Sequence, residues 1–330
     1  MIDAQARLDA LAKPQGSLGT LERLAVRLAV TQGRLDPRTR PRRLVIFAGD
    51  HGVVAEGVGL WPSAVTGAMM RLMRAGRSSA SALGRVAGAD FLLVDAGSCT
   101  EGLHPVPGFL DARIAQGTAN FAQGPAMSVA QLDAAWALGQ RIADDSAAAG
   151  YAVLALGEMG IGNTTAAAAL GALLTGAAPE AMVGPGAGAT PESLARKRAV
   201  VAAGVARARA ETDVRAAIAS LCGHEIAALA GCIAGAARHR MTVVLDGLIV
   251  TAAALVAARL SPGACDSAIA AHVGAEPGHA LMLASLGLEP FLDWGLRLGE
   301  GSGAALLLPL LDAAAALLTE VATLQEVLGG

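Results

Sequence analysis

Two glutamates in this chain stand alone among glycines, and an isolated carboxylate in a glycine-rich, apolar setting is suited to acid–base work. Gly299-Glu300-Gly301-Ser302-Gly303 carries the first, inside an apolar stretch from Phe291 to Leu310. Glycine disfavours helix by about 1 kcal/mol per residue, so three within five residues suggest a backbone that something must approach closely. Partial burial would raise the pKa of Glu300 and make it a competent general base near neutral pH; a carboxylate resting on a helix N-terminus is the alternative. The second lies in Gly157-Glu158-Met159-Gly160-Ile161-Gly162-Asn163-Thr164-Thr165, between an apolar run and an Ala-rich stretch. The first N–H groups of a helix lack intrahelical partners, and glycines let an anion reach them. Gly160, Ile161, Gly162, Asn163 and Thr164 therefore read as a phosphate site, with Asn163 or Thr164 as helix cap, or else as a tight strand-to-helix turn. Glu158 would repel phosphate but suits the hydroxyls of an attached sugar. Neither a Walker motif nor GxGxxG is present.

Other segments carry weaker signals. Gly184-Pro185-Gly186-Ala187-Gly188 is a second glycine turn, and Thr190-Pro191 supplies a cap and a first-turn proline for the helix that follows. That helix contains Lys197, one of only two lysines beside Lys13. Lys197 is either a solvated charge or a compact ammonium kept for a specific task. Gly49-Asp50-His51-Gly52 reads as a strand-end turn shaping a pocket. It has no companion ligands and no HExxH-type cluster appears, so neither a metal nor another cofactor is expected. His272 and His279 bracket Glu276-Pro277-Gly278, and Asp144-Asp145 reads as a solvated helix face.

These segments must be held by a scaffold. Apolar runs Arg43–Ala48, Phe91–Val94, Tyr151–Leu156 and Met241–Leu245 each end in a polar or glycine turn and are followed by Ala/Leu-rich helical sequence. Continuous apolar strands alternating with helices imply a Rossmann-like α/β fold, a parallel sheet flanked by helices on both faces, with ligands at the carboxyl ends of the strands. The termini differ. Ser17 or Thr20 could cap a helix through Leu21–Leu28, and the stretch 304–328 is helical in character. Helices from both ends could pair into a small domain of 1–39 and 291–330, leaving 40–290 as the large α/β domain.

Composition narrows the function. The 330 residues are 54% hydrophobic, 3% aromatic and 16% charged, with 41 Gly and net charge -3. Disorder requires the opposite balance, and nucleic-acid binding normally brings basic excess and stacking aromatics. The best membrane-span candidates are interrupted, Met241–Leu260 by Asp246-Gly247 and Gly303–Leu318 by Pro309 and Asp312. The charged N-terminus does not read as a secretory signal. Four cysteines without CxxC spacing fit a reduced, cytoplasmic protein.

Taken in order, the segments resemble one family, the nicotinate-nucleotide–dimethylbenzimidazole phosphoribosyltransferases of cobalamin lower-ligand activation. The likeness rests on Lys13-Pro14-Gln15-Gly16-Ser17-Leu18-Gly19, Gly49-Asp50-His51-Gly52-Val53, Gly157–Thr165, Glu225-Ile226-Ala227-Ala228-Leu229-Ala230-Gly231, Asp246-Gly247 with Thr251–Leu255, Glu276-Pro277-Gly278-His279 and Arg297-Leu298-Gly299-Glu300-Gly301. The resemblance implies a homodimer with shared active sites. It also implies transfer of phosphoribose from nicotinate mononucleotide to 5,6-dimethylbenzimidazole, giving α-ribazole 5′-phosphate and nicotinate with inversion. A pyridinium leaves without an acid catalyst, and no pyrophosphate calls for magnesium. Glu300 is implied as general base and Glu158 as the second carboxylate near the ribose. The 5′-phosphate would lie on Gly160–Thr164 with Lys197 as counter-charge. Asp50, His51, Ser63, Thr66 and Leu298 are implied near the base.

The chain departs from the family in three places. Pro62-Ser63-Ala64-Val65-Thr66-Gly67-Ala68-Met69 lacks both glutamines of Pro-Gln-x-Val-Thr-x-Gln-Met. Gly184–Gly188 lacks the Arg and Thr of Gly-Arg-Gly-Thr-Gly. His272–Glu276 lacks the Ser of His-x-Ser-x-Glu. The reaction class is thus firmer than the acceptor, and adenine, another benzimidazole, a phenol or a non-catalytic nucleotide-binding role are the alternatives. With few aromatics, the base pocket is expected to have aliphatic and backbone walls.

Overall fold

The computed structural model describes residues 3–186 and 188–329; Ala187 of the second glycine turn and the extreme ends of the terminal ranges lie outside them. Six strands form one parallel sheet: β1 (Arg42–Gly49), β2 (Asp90–Gly97), β3 (Phe109–Asp111), β4 (Val153–Met159), β5 (Thr242–Leu245) and β6 (Ala268–Ala270). Their spatial order is β3-β2-β1-β4-β5-β6, so the chain reverses direction across the sheet between β1 and β4. β1, β2, β4 and β5 coincide with the four apolar runs. β3 and β6 are three-residue edge strands, too short to leave a period in the sequence.

Strand side chains alternate between two cores. Val45, Phe47, Leu154, Leu156, Val243 and Leu245 pack against the helices Val129–Ala148, Asn163–Thr175, Pro191–Arg209, His224–Arg238 and Leu248–Leu260. Leu44, Ile46, Val153, Ala155 and Val244 face the terminal helices Ala4–Asp9, Thr20–Gln32 and Ser302–Thr319 together with Ala64–Arg74 and Ser79–Val86. The terminal helices pack on one another, and their core is continuous with that face of the sheet. Gly19, not Ser17 or Thr20, occupies the cap position of Thr20–Gln32. By length and composition Ser302–Thr319 could cross a bilayer, but its Leu307, Leu308 and Leu311 are buried in this core and its Asp312 pairs with Arg42.

Small residues set the spacing of the other layer. A Cβ on Gly139 would lie 1.8 Å from the Ala228 carbonyl oxygen, and one on Gly231 would lie 2.0 Å from that of Trp136. The helices Val129–Ala148 and His224–Arg238 thus touch backbone to backbone, where no rotamer change can relieve an added methyl. Gly139→Ala is expected to destabilise the protein by about 1–3 kcal/mol, measured as a lowered urea midpoint; an unchanged midpoint would show that the two helices can separate freely.

Candidate active site

The carboxyl ends of β4, β5 and β6 open into a cleft of about 450 Å³, beside the β1/β4 reversal where open α/β sheets bind ligands. Each strand end delivers a titratable group. Glu158 is the penultimate residue of β4, Asp246 directly follows β5, and His272 lies two residues past β6. The fourth group, Glu300, arrives from the loop that leads into Ser302–Thr319.

Glu300 is 7% exposed, its Oε2 is buried without a hydrogen-bond partner, and it lines the cleft. Its φ is +59°, a left-handed conformation unusual for a residue with a side chain. The loop is held from below. Asp246 Oδ2 accepts from the Gly301 N–H at 3.0 Å, and Oδ1 accepts from Gly303 at 2.7 Å and Ala304 at 3.1 Å. Those N–H groups open a helix that has no side-chain cap on its own N-cap residue. A Cβ on Gly157 of β4 would lie 2.3 Å from the Gly301 nitrogen, so glycine at 157 lets the loop rest directly on the strand. Burial raises the Glu300 pKa, and the neighbouring Asp246 charge raises it further.

Glu158 is also buried, and burial, followed by the Asp246 charge, pushes its pKa up to about 8. The Asn163 side-chain amide donates to Oε2 and opposes the rise. Glu158 Oε1 lies on the side of the Glu300 loop, 2.7 Å from where a Gly299 Cβ would be. Burial thus favours the protonated form of Glu158, which is able to donate a hydrogen bond. His272 Nε2 lies 3.5 Å from Asp246 Oδ1. Burial alone would lower the His272 pKa, but the Asp246 bond and charge outweigh it and the net shift is upward.

A smaller pocket adjoins the cleft, lined by Gly160–Thr165, Pro185, Gly188 and Lys197. The helix Asn163–Thr175 begins at Gly162, φ +95°, and has no side-chain cap. Neither Asn163 nor Thr164 caps it, contrary to the expectation from sequence. Asn163 is drawn to Glu158, and Thr164 Oγ1 accepts from Lys197 Nζ at 3.0 Å. The uncapped N-terminus is left to face the pocket. Lys197 is 1% exposed and also donates to the Gly184 carbonyl at 3.0 Å. It is not a solvated helix charge, and burial lowers its pKa. Glu276 Oε1 accepts from the Gly186 N–H at 2.7 Å and ties the second glycine turn to this corner.

The residues assigned to the base divide differently. Leu298 lines the cleft. Asp50 and His51 do not; they are buried behind it. His51 Nε2 meets Glu225 Oε1 at 2.6 Å, and Asp50 Oδ2 accepts from the Cys99 N–H at 2.8 Å. Thr66 is fully buried and its Oγ1 accepts from the Ile161 N–H at 3.1 Å, bracing the glycine turn. Ser63 sits at the start of the helix Ala64–Arg74, outside the cleft lining. On that helix Val65 and Met69, four residues apart and therefore on one face, line the cleft instead. Trp61 lines both cleft and pocket and is 52% exposed. It corrects the expectation of walls made only of aliphatic side chains and backbone; a lone Trp in a loop leaves no pattern to find. Asp246 is visible in the sequence as the end of an apolar run and as part of the family resemblance, but with no role attached to it. Among the described residues no group of three or more His, Cys, Asp or Glu side chains is arranged to hold a metal ion.

The whole arrangement has close counterparts. The model of a phosphoribosyltransferase family matches residues 1–327. Two relatives named nicotinate-nucleotide–dimethylbenzimidazole phosphoribosyltransferase are 45% identical over 97% of this chain and 91% of the Solidesulfovibrio magneticus protein, and 47% identical over 99% and 93% for Pseudomonas putida. A crystal structure of CobT from Thermus thermophilus superimposes with a TM-score of 0.94 at 44% identity, covering 98% of this chain and 97% of that one. With the fold shared at that level and the identity extending over nearly the whole length of each relative, the chain belongs to the nicotinate-nucleotide–dimethylbenzimidazole phosphoribosyltransferase family and is a phosphoribosyl-transferring enzyme.

Proposed function

We propose that the protein transfers phosphoribose from nicotinate mononucleotide to 5,6-dimethylbenzimidazole, releasing nicotinate and forming α-ribazole 5′-phosphate. The observation that carries this reading is the pairing of two unlike sites: an uncapped helix N-terminus with a buried lysine in the small pocket, and a buried, unpartnered carboxylate in the adjoining cleft. The first suits a 5′-phosphate. The second suits the proton that an attacking azole must lose.

In this mechanism the bond between C1′ and the pyridinium nitrogen breaks, and its electron pair neutralises the departing ring. One nitrogen of the acceptor forms the new bond to C1′ from the opposite face. The proton on its other nitrogen passes to Glu300. Positive charge on the ribose grows in the transition state, and the negative charges of Asp246 and Glu300 at this end of the sheet stabilise it. Glu158, in its protonated form, donates to a ribose oxygen. Lys197 and the amides of Gly160–Thr164 hold the phosphate. The apolar faces of Val65, Met69, Met159 and Leu298 favour a methylated benzimidazole over adenine, whose ring edges need polar partners. The same reading divides the chain into a large α/β part, 40–290, and a small helical part from the termini, 1–39 with 291–330.

Purified protein given nicotinate mononucleotide and competing acceptors is expected to release nicotinate fastest with 5,6-dimethylbenzimidazole. Faster release with adenine or a phenol keeps the reaction but replaces the acceptor. Nucleotide binding without nicotinate release under any acceptor would refute the proposal and leave a non-catalytic binding protein.

A further inference from the structure

We propose that Asp246 is the positioning residue for Glu300: its carboxylate holds the loop that presents the base and keeps a negative charge directly beneath it. The inference rests on the reading of Glu300 as base. Asp246 is 1% exposed and does not line the cleft, so it does not touch substrate. Its two oxygens instead collect three backbone N–H groups from Gly301, Gly303 and Ala304, in the turn immediately after Glu300. A residue with a side chain in the left-handed region returns to a commoner conformation unless its surroundings over-determine it. Here the surroundings are Asp246 beneath and Gly157 of β4 alongside, where an added Cβ would meet the Gly301 nitrogen.

The charge of Asp246 acts on the same side chain. The charged or titratable groups around Glu300 are Asp246 at the end of β5, Glu158 near the end of β4, His272 after β6, Arg297 on its own loop, and Glu276 and His279 at the start of the helix Pro277–Ser285 across the cleft, His279 with its ring 5.7 Å from that of His272. Asp246 raises the pKa of both glutamates. His272 Nε2 lies 3.5 Å from Asp246 Oδ1, and the protonated ring, which Asp246 favours, offsets part of that charge on the acid side of the profile. Asp246 and His272 therefore act on Glu300 with opposite signs, and removing one or the other must move the titration of the base in opposite directions. Reduced occupancy of the folded state would instead lower the rate at every pH without moving the profile.

The test is the pH dependence of kcat for nicotinate release in the full-length protein. Asp246→Asn is expected to lower kcat at least ~10-fold, the lower end of what a displaced general base costs, leave KM for nicotinate mononucleotide within about 3-fold, and shift the acid limb to lower pH. His272→Gln is expected to shift that limb to higher pH. Asp246→Glu, which keeps the charge but displaces the oxygens, should lose kcat while the limb stays closer to that of the unaltered protein than in Asp246→Asn. If Asp246→Asn does not fold, the His272→Gln shift decides the matter. An acid limb unmoved in every folded variant, or moved in the same direction by Asp246→Asn and His272→Gln, overturns the proposal. Full activity of Glu300→Gln would instead remove the underlying assignment of the base.

Discussion

Replacing Glu300 by Gln is expected to lower kcat by at least about 10²-fold, the scale of general-base catalysis, while KM for nicotinate mononucleotide changes little. Gln has nearly the shape of Glu and the same tolerance for the +59° φ at this position, so the loop on Asp246 should stay in place. In the proposed mechanism the donor's phosphate lies on the other side of Glu158 and Asn163, against Lys197 and the uncapped helix, and is not handled by residue 300. The loss should therefore fall on the chemical step. Glu300 in the unaltered protein has a pKa raised by burial and by Asp246. Its activity should accordingly disappear, on going to lower pH, above the range in which an ordinary carboxylate titrates. Steady-state rates across pH measure both effects. A Glu300→Gln variant with full kcat would place the base elsewhere, and Glu158 would be the next group to replace.

The second large effect concerns Glu158 and the stability of the ligand-free protein. Its folded pKa of about 8 lies above the unfolded value of 4.5. Between those values the folded state retains a proton that the unfolded state releases, so the contribution of Glu158 to stability is fully present below pH 4.5 and is lost as pH rises to about 8, above which both states are ionised. A rise of that size corresponds to roughly 4–5 kcal/mol. Glu158→Gln removes the titration. The variant should match the unaltered protein near pH ~5 and exceed it by a few kcal/mol near pH ~9, measured by urea unfolding at fixed protein concentration. Parallel stability curves for the two proteins would show that Glu158 ionises in the folded state without penalty.

How far the site could be read from sequence depended on whether its residues were neighbours along the chain. Gly160–Thr164 are legible because a strand end, glycines and a helix start are consecutive. Glu300 is legible because its glycines are. Apart from the family resemblance, Lys197 is legible only as an oddity of composition, since its partners Thr164 and Gly184 are far from it in sequence. Asp50, His51 and Thr66 carry a resemblance that points to the base, yet the fold turns them into a buried brace. Residues at a strand end point alternately toward and away from a cleft, and the direction depends on what packs behind. In this chain the space behind is occupied by Glu225 and Cys99. Val65 and Met69 stand in the segment compared with the family pattern and Trp61 just before it, yet none was assigned to the base, because ordinary apolar residues acquire a role only when a helix face or loop is aimed at the cleft.

Sequence alone determined the parallel α/β class, because strands buried on both faces must be apolar throughout. It also determined the glycine turns, because only glycine allows such close approach at a strand end. The abundance of Ala and Gly was a fact of composition whose meaning became visible in the contact between Val129–Ala148 and His224–Arg238. The tertiary structure alone decided which buried charges share a field. Glu158, Asp246, His272 and Glu300 lie far apart along the chain, and each is delivered by a different strand end or loop. Their pKa values and orientations depend on mutual distance and on exclusion of water, quantities that exist only after the sheet has ordered its strands and the C-terminal helix has docked on Asp246.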